Sequence, residues 1–340
     1  MSRKPGARRP TMRDVAEEAG VLPALVSIVF RDAPGASDET RERVRAAAKK
    51  IGYVLDERAR LLRSHKSLDI GVCFQTSQPL HHHLLDELYV AVDGTETGLV
   101  LSPTSSARDE KSALSSLVAY RCGAIIIFGP RLTTSDIRDV VGDIPVISVA
   151  QELDPPYDWI SSDDSLGIHQ AVDHLIGLGH KNIGLANSPG DAGATTRELA
   201  FVEALQAHGL TPSVYAAEAS EEGGARLAQH LIDSNQLPDA IIGFNDRCAF
   251  GIIDYCIRAG YSIPRDLSVV GFDDSEVSQR FYVDLTTVAQ NTEKLARFAA
   301  ERAVQRLKAI NLESQEPGVL VPTELIVRNT TAPPRSRRAE

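Results

Sequence analysis

The chain of 340 residues has no apolar run approaching the roughly 18 residues that cross a bilayer. That excludes a transmembrane helix. The first ten residues are basic, with Arg3, Lys4, Arg8 and Arg9, but no apolar core follows them. A secretory signal is therefore not expected, and the cytoplasm is the expected location. Only four cysteines occur, Cys73, Cys122, Cys248 and Cys256, each in an apolar pattern and none in CxxC spacing. They read as reduced core thiols, which argues against a disulfide framework or a zinc site. Also missing are GxGxxG after a strand, a P-loop and GxSxG, so neither a cofactor nor a catalytic nucleophile is expected.

What is present is an uneven distribution of charge. The net charge is −10, yet residues 1–66 hold 15 Lys and Arg against 9 Asp and Glu. The remaining 274 residues hold 21 against 37. A basic N-terminal unit on an acidic body fits a protein that meets phosphate at one end only.

Residues 11–50 carry three short helical patterns joined by tight turns. Thr11 is placed to cap the first, with Asp14 in capping-box spacing and Gly20 as its stop. Pro23 opens the second, with Val26 and Val29 facing Val15, Ala16 and Ala19. Ser37 caps the third, which has acids in its first turn, Lys49 and Lys50 in its last, and Gly52 beyond. Helix, turn, helix and a bracing helix form a helix-turn-helix pattern.

Beyond residue 67, short apolar runs alternate with amphipathic helical stretches. The runs are 70–74, 99–101, 124–128, 146–149, 183–186, 240–244 and 267–272. Buried strands separated by helices imply doubly wound parallel sheets, in two successive units of roughly 120 residues. Ligands of such sheets sit at the carboxyl ends of the strands.

Several motifs resemble the LacI/GalR family of bacterial repressors. In the first unit these are AGV-x-x-x-x-VS from Ala19 to Ser27, TRERV from Thr40 and Gly52-Tyr53. Further on come Asp163-Asp164-x-x-Gly167, His174-Leu175-x-x-Leu178-Gly179-His180-Lys181 and Arg197-x-x-Ala200-Phe201. Asn245-Asp246, Gly271-Phe272-Asp273-Asp274, Leu285-Thr286-Thr287-Val288 with Gln290, and Pro322-Thr323-Glu324-Leu325 complete the set.

The resemblance implies an all-α helix-turn-helix head plus an α/β two-lobed, periplasmic-binding-protein-like core. It divides the chain into a head at 1–55 and a hinge at 56–67. Lobe 1 takes 68–162 and 292–320, lobe 2 takes 163–291 and 321–331, and 332–340 form a disordered tail. It further implies a transcriptional regulator, expected to act as a repressor. A homodimer would bind a palindromic double-stranded DNA operator under control of a sugar-like small molecule between the lobes. The C-terminus shows no heptad repeat, so nothing suggests assembly beyond the dimer. A solute-binding protein without a DNA-binding role is the alternative.

On the DNA side, the resemblance assigns Pro23, Ala24 and Ser27 of the recognition helix to base contacts. Thr11, Arg13 and Arg31 go to phosphates, and Leu62 of the hinge to a minor-groove wedge. Leu22, Leu25 and Ile28 are apolar where the family is commonly polar, which thins hydrogen-bonded readout. In the cleft, Arg197, Asn245, Asp273 and Gln290 are expected from lobe 2, their forks and amides suiting vicinal hydroxyls. Gln78, His81 and Gln151 are candidates from lobe 1, where the family's usual Asn-Pro-Phe-Phe and Asp-Arg are absent. Of His81, His82 and His83, one is expected to face the cleft and two the solvent. Three adjacent helical histidines splay apart, so no metal site is expected. His174 and His180 are expected to be structural cations at a helix end, Asp246 and Asp274 structural caps.

Overall fold

The computed structural model describes residues 10–30, 33–53, 67–280, 282–308 and 318–334. The chain divides into two compact units between Lys66 and Ser67.

The first unit holds helices α1 (Met12–Ala19), α2 (Pro23–Phe30) and α3 (Asp38–Ile51). Thr11 and Asp14 form the expected capping box. The Thr11 backbone N–H and hydroxyl donate to Asp14 Oδ2 at 2.6 and 2.7 Å, and the Asp14 N–H donates to Thr11 Oγ1 at 3.4 Å. Ser37 accepts from the Thr40 N–H at 3.3 Å, and Gly20 and Gly52 close α1 and α3 in the left-handed conformation. The buried core is Val15, Ala16, Ala19, Val26, Val29, Val44, Ala47 and Ala48. None exceeds valine in size. The Phe30 ring lies 5.5 Å from that of Tyr53, and Arg41 donates to the Ala33 and Ala36 carbonyls. These contacts pin the turn between α2 and α3.

The second unit is built on two six-stranded sheets. The first contains β1 (Ile70–Gln75), β2 (Leu99–Thr104), β3 (Ala124–Phe128), β4 (Val146–Val149), β5 (Asp158–Ser162) and β11 (Gly318–Val321). Its order is β11-β5-β4-β3-β1-β2, and every pairing is parallel. The second contains β6 (Ile183–Asn187), β7 (Ser213–Ala216), β8 (Ala240–Ile242), β9 (Ser268–Asp273), β10 (Thr286–Ala289) and β12 (Glu324–Ile326). Its order is β12-β10-β9-β8-β6-β7, parallel except that β12 runs antiparallel to β10. That edge pairing departs from the expected all-parallel sheet.

Helices cover both faces of both sheets. On the first, α4 (Pro79–Val92) and α11 (Thr292–Leu307) pack on one face, and α5 (Glu110–Ala119) and α6 (Thr134–Val141) on the other. On the second, α7 (Asp164–Gly177) and α8 (Ala194–Ala207) oppose α9 (Glu221–Asp233) and α10 (Asp246–Arg258). Burial on both faces explains the continuous apolar runs of β1, β3 and β9. The chain passes between lobes three times: from β5 to α7, from β10 to α11, and from β11 to β12. All four cysteines are buried and unpaired, and burial pushes each thiol well above its ordinary range.

One ion cluster joins β5 to α11. Asp158, 1 % exposed, accepts from Arg302 Nη1 at 2.8 Å and from Arg306 Nε and Nη2 at 2.7 and 2.9 Å. Removing the carboxylate takes away the anion facing a buried guanidinium, Arg302 being 8 % exposed. Asp158→Ala is expected to destabilise the core by about 3–5 kcal/mol, read as a lowered midpoint in urea unfolding.

Candidate functional site

In the first unit, α2 turns its N-terminal end outward. Leu22, Pro23 and Ala24 are exposed, Ser27 is half-buried, and Val26 and Val29 fill the core. The helix thus presents a small, apolar edge. Arg13 is exposed on α1, whereas the Thr11 hydroxyl is committed to the capping box. Arg43, Arg45, Lys49 and Lys50 are exposed along α3, and Lys50 pairs with Glu18 at 2.6 Å. Arg31, Leu62 and the hinge at 56–66 lie outside the described residues.

In the second unit, strand ends from both lobes converge on a cavity of about 70 Å³. Six of the seven expected cleft residues line it: Gln78 and His81 from lobe 1, and Arg197, Asn245, Asp273 and Gln290 from lobe 2. The seventh, Gln151, does not. The backbone turns at Ala150, with φ 73°, so that Ala150 lines the cavity, and the Gln151 carbonyl accepts the Ser148 hydroxyl at 2.6 Å. A wider cavity of about 940 Å³ adjoins this one and shares Gln75, Gln78, Arg131 and Asp191 with it.

Arg197 is the best-held of these groups. It is 5 % exposed on α8, and its Nε donates to Asp164 Oδ2 at 2.8 Å and its Nη1 to the Phe244 carbonyl at 2.6 Å. The Phe272 ring lies 3.7 Å from the guanidinium carbon and that of Phe244 4.8 Å. Its carboxylate partner is therefore Asp164 at the start of α7, not its neighbour Glu198, which accepts from Asn187. Gly193, at φ 80°, makes this approach possible, since a Cβ there would collide with Asp164 Oδ2. Ser162, at the end of β5, places its hydroxyl 2.7 Å from both Asp164 Oδ1 and Gln290 Oε1, donating its one proton to either. Gln290 Nε2 in turn donates to Asp273 Oδ1 at 2.7 Å. A single polar chain thus runs from the first sheet through the cavity floor.

Asp273 sits at the end of β9 with φ 114°, a backbone conformation that side-chain-bearing residues rarely adopt. Burial pushes its carboxyl up to about 7, against the pull of Arg197 and Gln290. Nearby Asp246 is also buried, and accepts from Thr287 Oγ1 at 2.5 Å and from the Ser275 N–H and hydroxyl at 2.6 and 2.8 Å. Burial and the negative Asp273 raise it to about 8. Asn245 caps α10 through its Oδ1, which accepts the Cys248 N–H at 2.9 Å.

His81 is buried against Phe128, at 5.5 Å between rings, and its Nδ1 accepts the Gln75 N–H at 3.0 Å. Burial depresses it to about 4, so at neutral pH the ring is uncharged. That hydrogen bond assigns its proton to Nε2, as a donor for the cavity. His82 is exposed, and half-buried His83 lies 3.8 Å from Glu276.

The expectation for His174 and His180 needs correction. Burial lowers both from their ordinary value, favouring neutral rings. They hold the chain by hydrogen bonds rather than by charge: His174 to Thr331 at 2.9 Å, and His180 to Ser268 and the Ala332 carbonyl at 3.0 and 2.9 Å. Asp274 pairs with Arg328 at 2.6 Å, so it ties down the chain beyond β12. Ser162, Asp164 and Gln75 were not singled out for the cleft from sequence. The available signal was position, since each stands at or just beyond the carboxyl end of a parallel strand.

Two family models match the chain. "Bacterial regulatory proteins, lacI family" covers residues 11–56, and "Periplasmic binding protein-like domain" covers residues 172–331. The chain is 30% identical to the HTH-type transcriptional regulator GalS of Salmonella typhimurium, over 87% of this chain and 89% of that protein. It belongs to the LacI family. Within that family it is also 28% identical to the lactose operon repressor of Escherichia coli, over 97% of this chain and 92% of the relative. Among solved structures, the lac repressor dimer bound to operator and the anti-inducer ONPF superposes with a TM-score of 0.82. Its identity is 26%, covering 96% of this chain and all of that one. A LacI transcriptional regulator from a Rhodococcus species gives a TM-score of 0.73 at 32% identity, covering 78% and 98%. As a LacI-family member, the protein is a ligand-responsive DNA-binding transcriptional regulator.

The buried carboxyls make stability depend on pH. Asp273 and Asp246 hold protons in the folded state at pH values where the unfolded chain has released them. Between about pH 4 and about pH 8 the unfolded state holds fewer of these two protons, so the carboxyls make stability fall as pH rises. Below about 6.5 this is opposed by His81, whose folded value is depressed. Urea midpoints at pH 7 and pH 8, above the range where His81 opposes the trend, should show this fall, and Asp246→Asn should reduce it.

Proposed function

We propose that this LacI-family regulator is a repressor that binds a palindromic operator as a homodimer and responds to a sugar-class effector between its lobes. The observation that carries the effector reading is the cavity floor, where Arg197, Asp273, Gln290, Asn245 and His81 converge. A guanidinium fork, a carboxyl, two amides and a neutral imidazole supply donors and acceptors in the mixture that hydroxyl groups require. The lac repressor structures carry ligands such as ONPF and ONPG, and another neighbour, CelR, carries cellobiose. The proposed effector contacts are Gln78, His81, Arg197, Asn245, Asp273 and Gln290, with Ala150 in place of Gln151.

For the head, Pro23 and Ala24 contact base edges with Ser27, and Arg13 and Arg31 contact phosphate. The exposed apolar edge of α2 suits thymine methyl groups better than guanine edges. Thr11 acts by fixing the start of α1. Leu62 is proposed as the hinge residue that enters the minor groove. The proposed segments are a head at 1–55 and a hinge at 56–67. Lobe 1 is 68–162 with 292–320, and lobe 2 is 163–291 with 321–331. The protein is read as cytoplasmic and non-enzymatic; no described helix is long and apolar enough to cross a membrane.

Two outcomes test this reading. Arg13→Ala should weaken binding to operator and non-operator DNA alike and reduce the salt slope by about 1, measured by fluorescence anisotropy from low to moderate salt. Arg197→Lys cannot reproduce the fork to Asp164 and Phe244. It should abolish the thermal shift given by whichever sugar stabilises the wild type. Operator affinity that is independent of salt would contradict the reading.

A further inference from the structure

The two adjoining cavities differ in size, and the difference bears on the effector. The inner one, at about 70 Å³, is smaller than the roughly 150 Å³ that takes a benzene ring, so it encloses only one end of a sugar ring. The outer one, at about 940 Å³, lies near the top of the roughly 300–1,000 Å³ range of small-molecule sites. The shared lining, Gln75, Gln78, Arg131 and Asp191, makes them one continuous space. A single monosaccharide anchored on Arg197 and Asp273 would leave most of it to solvent.

The chemistry of the outer wall narrows what fills it. Its three arginines already face carboxylates: Arg226 to Glu218 and Arg247 to Glu221, both at 2.7 Å, and Arg131 to Asp191 at 3.6 Å. Arg247 Nη1 also donates to the Ser77 carbonyl at 2.7 Å. Asp191, Glu218 and Glu222 of the same wall match the three arginines in charge, which disfavours a phosphorylated ligand. Among the described residues lining the outer cavity there is no Phe, Tyr or Trp, so a nucleobase would find none of those rings to stack on. Serine hydroxyls, including Ser106 and Ser220, and the two glutamines make up the remaining polar surface together with Glu222 and His230.

From these observations the geometry points to a neutral effector of two or more linked sugar rings. One ring end is held on the inner floor, and the second ring is read by the outer wall between Ser106 and Arg226. This deepens the sugar-class reading above and rests on it.

Isothermal titration of the full-length protein tests the inference. The probes are galactose and glucose; lactose, melibiose, cellobiose and maltose; galactose 6-phosphate; and cytidine. At least one disaccharide should bind about tenfold or more tighter than either of its own monosaccharides, and tighter than the phosphate or cytidine. Ser106→Tyr fills the outer cavity from an exposed position. It should weaken that disaccharide by about tenfold and leave the monosaccharide within about twofold. Arg226→Ala, also on the exposed outer wall, should weaken the disaccharide selectively. If monosaccharides bind as tightly as every disaccharide, or Ser106→Tyr leaves the disaccharide unaffected, the two-ring inference is wrong and the sugar reading survives. Tighter binding of galactose 6-phosphate overturns the claim of a neutral ligand. Tighter binding of cytidine, or no heat with any saccharide, overturns both readings.

Discussion

The cleft depends on a buried guanidinium. A cation taken out of water is costly unless geometry and partners compensate, and Arg197 has both. Asp164 supplies the opposite charge, the Phe244 carbonyl takes a second donor, and the Phe272 face lies against the planar group. Each partner comes from a different element, so the arginine also fixes α7, the loop after β8 and the end of β9 around one point. Ser162 then links Asp164 to Gln290, which connects the crossover from lobe 1 to the strand leading back to it. A ligand that moves Arg197 therefore pulls on the segments through which the lobes are joined.

Much of this was readable from the residues, because the strongest signals are local. The capping box at Thr11, proline at the start of α2 and the acid-to-base polarity of α3 act within a single turn of helix. Continuous apolar strands announced both doubly wound sheets, since strands buried on two faces leave no room for polar alternation. Family likeness placed Arg197, Asn245, Asp273 and Gln290 together across nearly a hundred residues, which periodicity alone could not do.

What escaped was set by tertiary context. β5 carries Asp158, Trp159 and two serines, and β7 alternates exposed and half-buried residues, so neither has the apolar run of an interior strand. The antiparallel course of β12 follows from the chain arriving from the other lobe after β11. Gln151 looked suitable by type, but one backbone torsion at Ala150 sends it elsewhere. A place at a helix end suggests charge for the histidines at 174 and 180, whereas burial favours their neutral form. Asp164 belongs to a sequence motif, and only the fold brings Arg197 onto it.

The three passages between lobes have a consequence for how the protein is made. Lobe 2 is nearly one uninterrupted stretch, lacking only β12, whereas lobe 1 receives α11 and β11 after all but one strand of its neighbour has been built. On the ribosome, the half whose synthesis starts earlier still waits for elements made after nearly all of its neighbour. Asp158 awaits both of its arginines until residue 306 emerges, and β5 has no partner on one side until residue 321 does. Neither half can be excised as one plain fragment of the gene; each would have to be spliced from two separated segments.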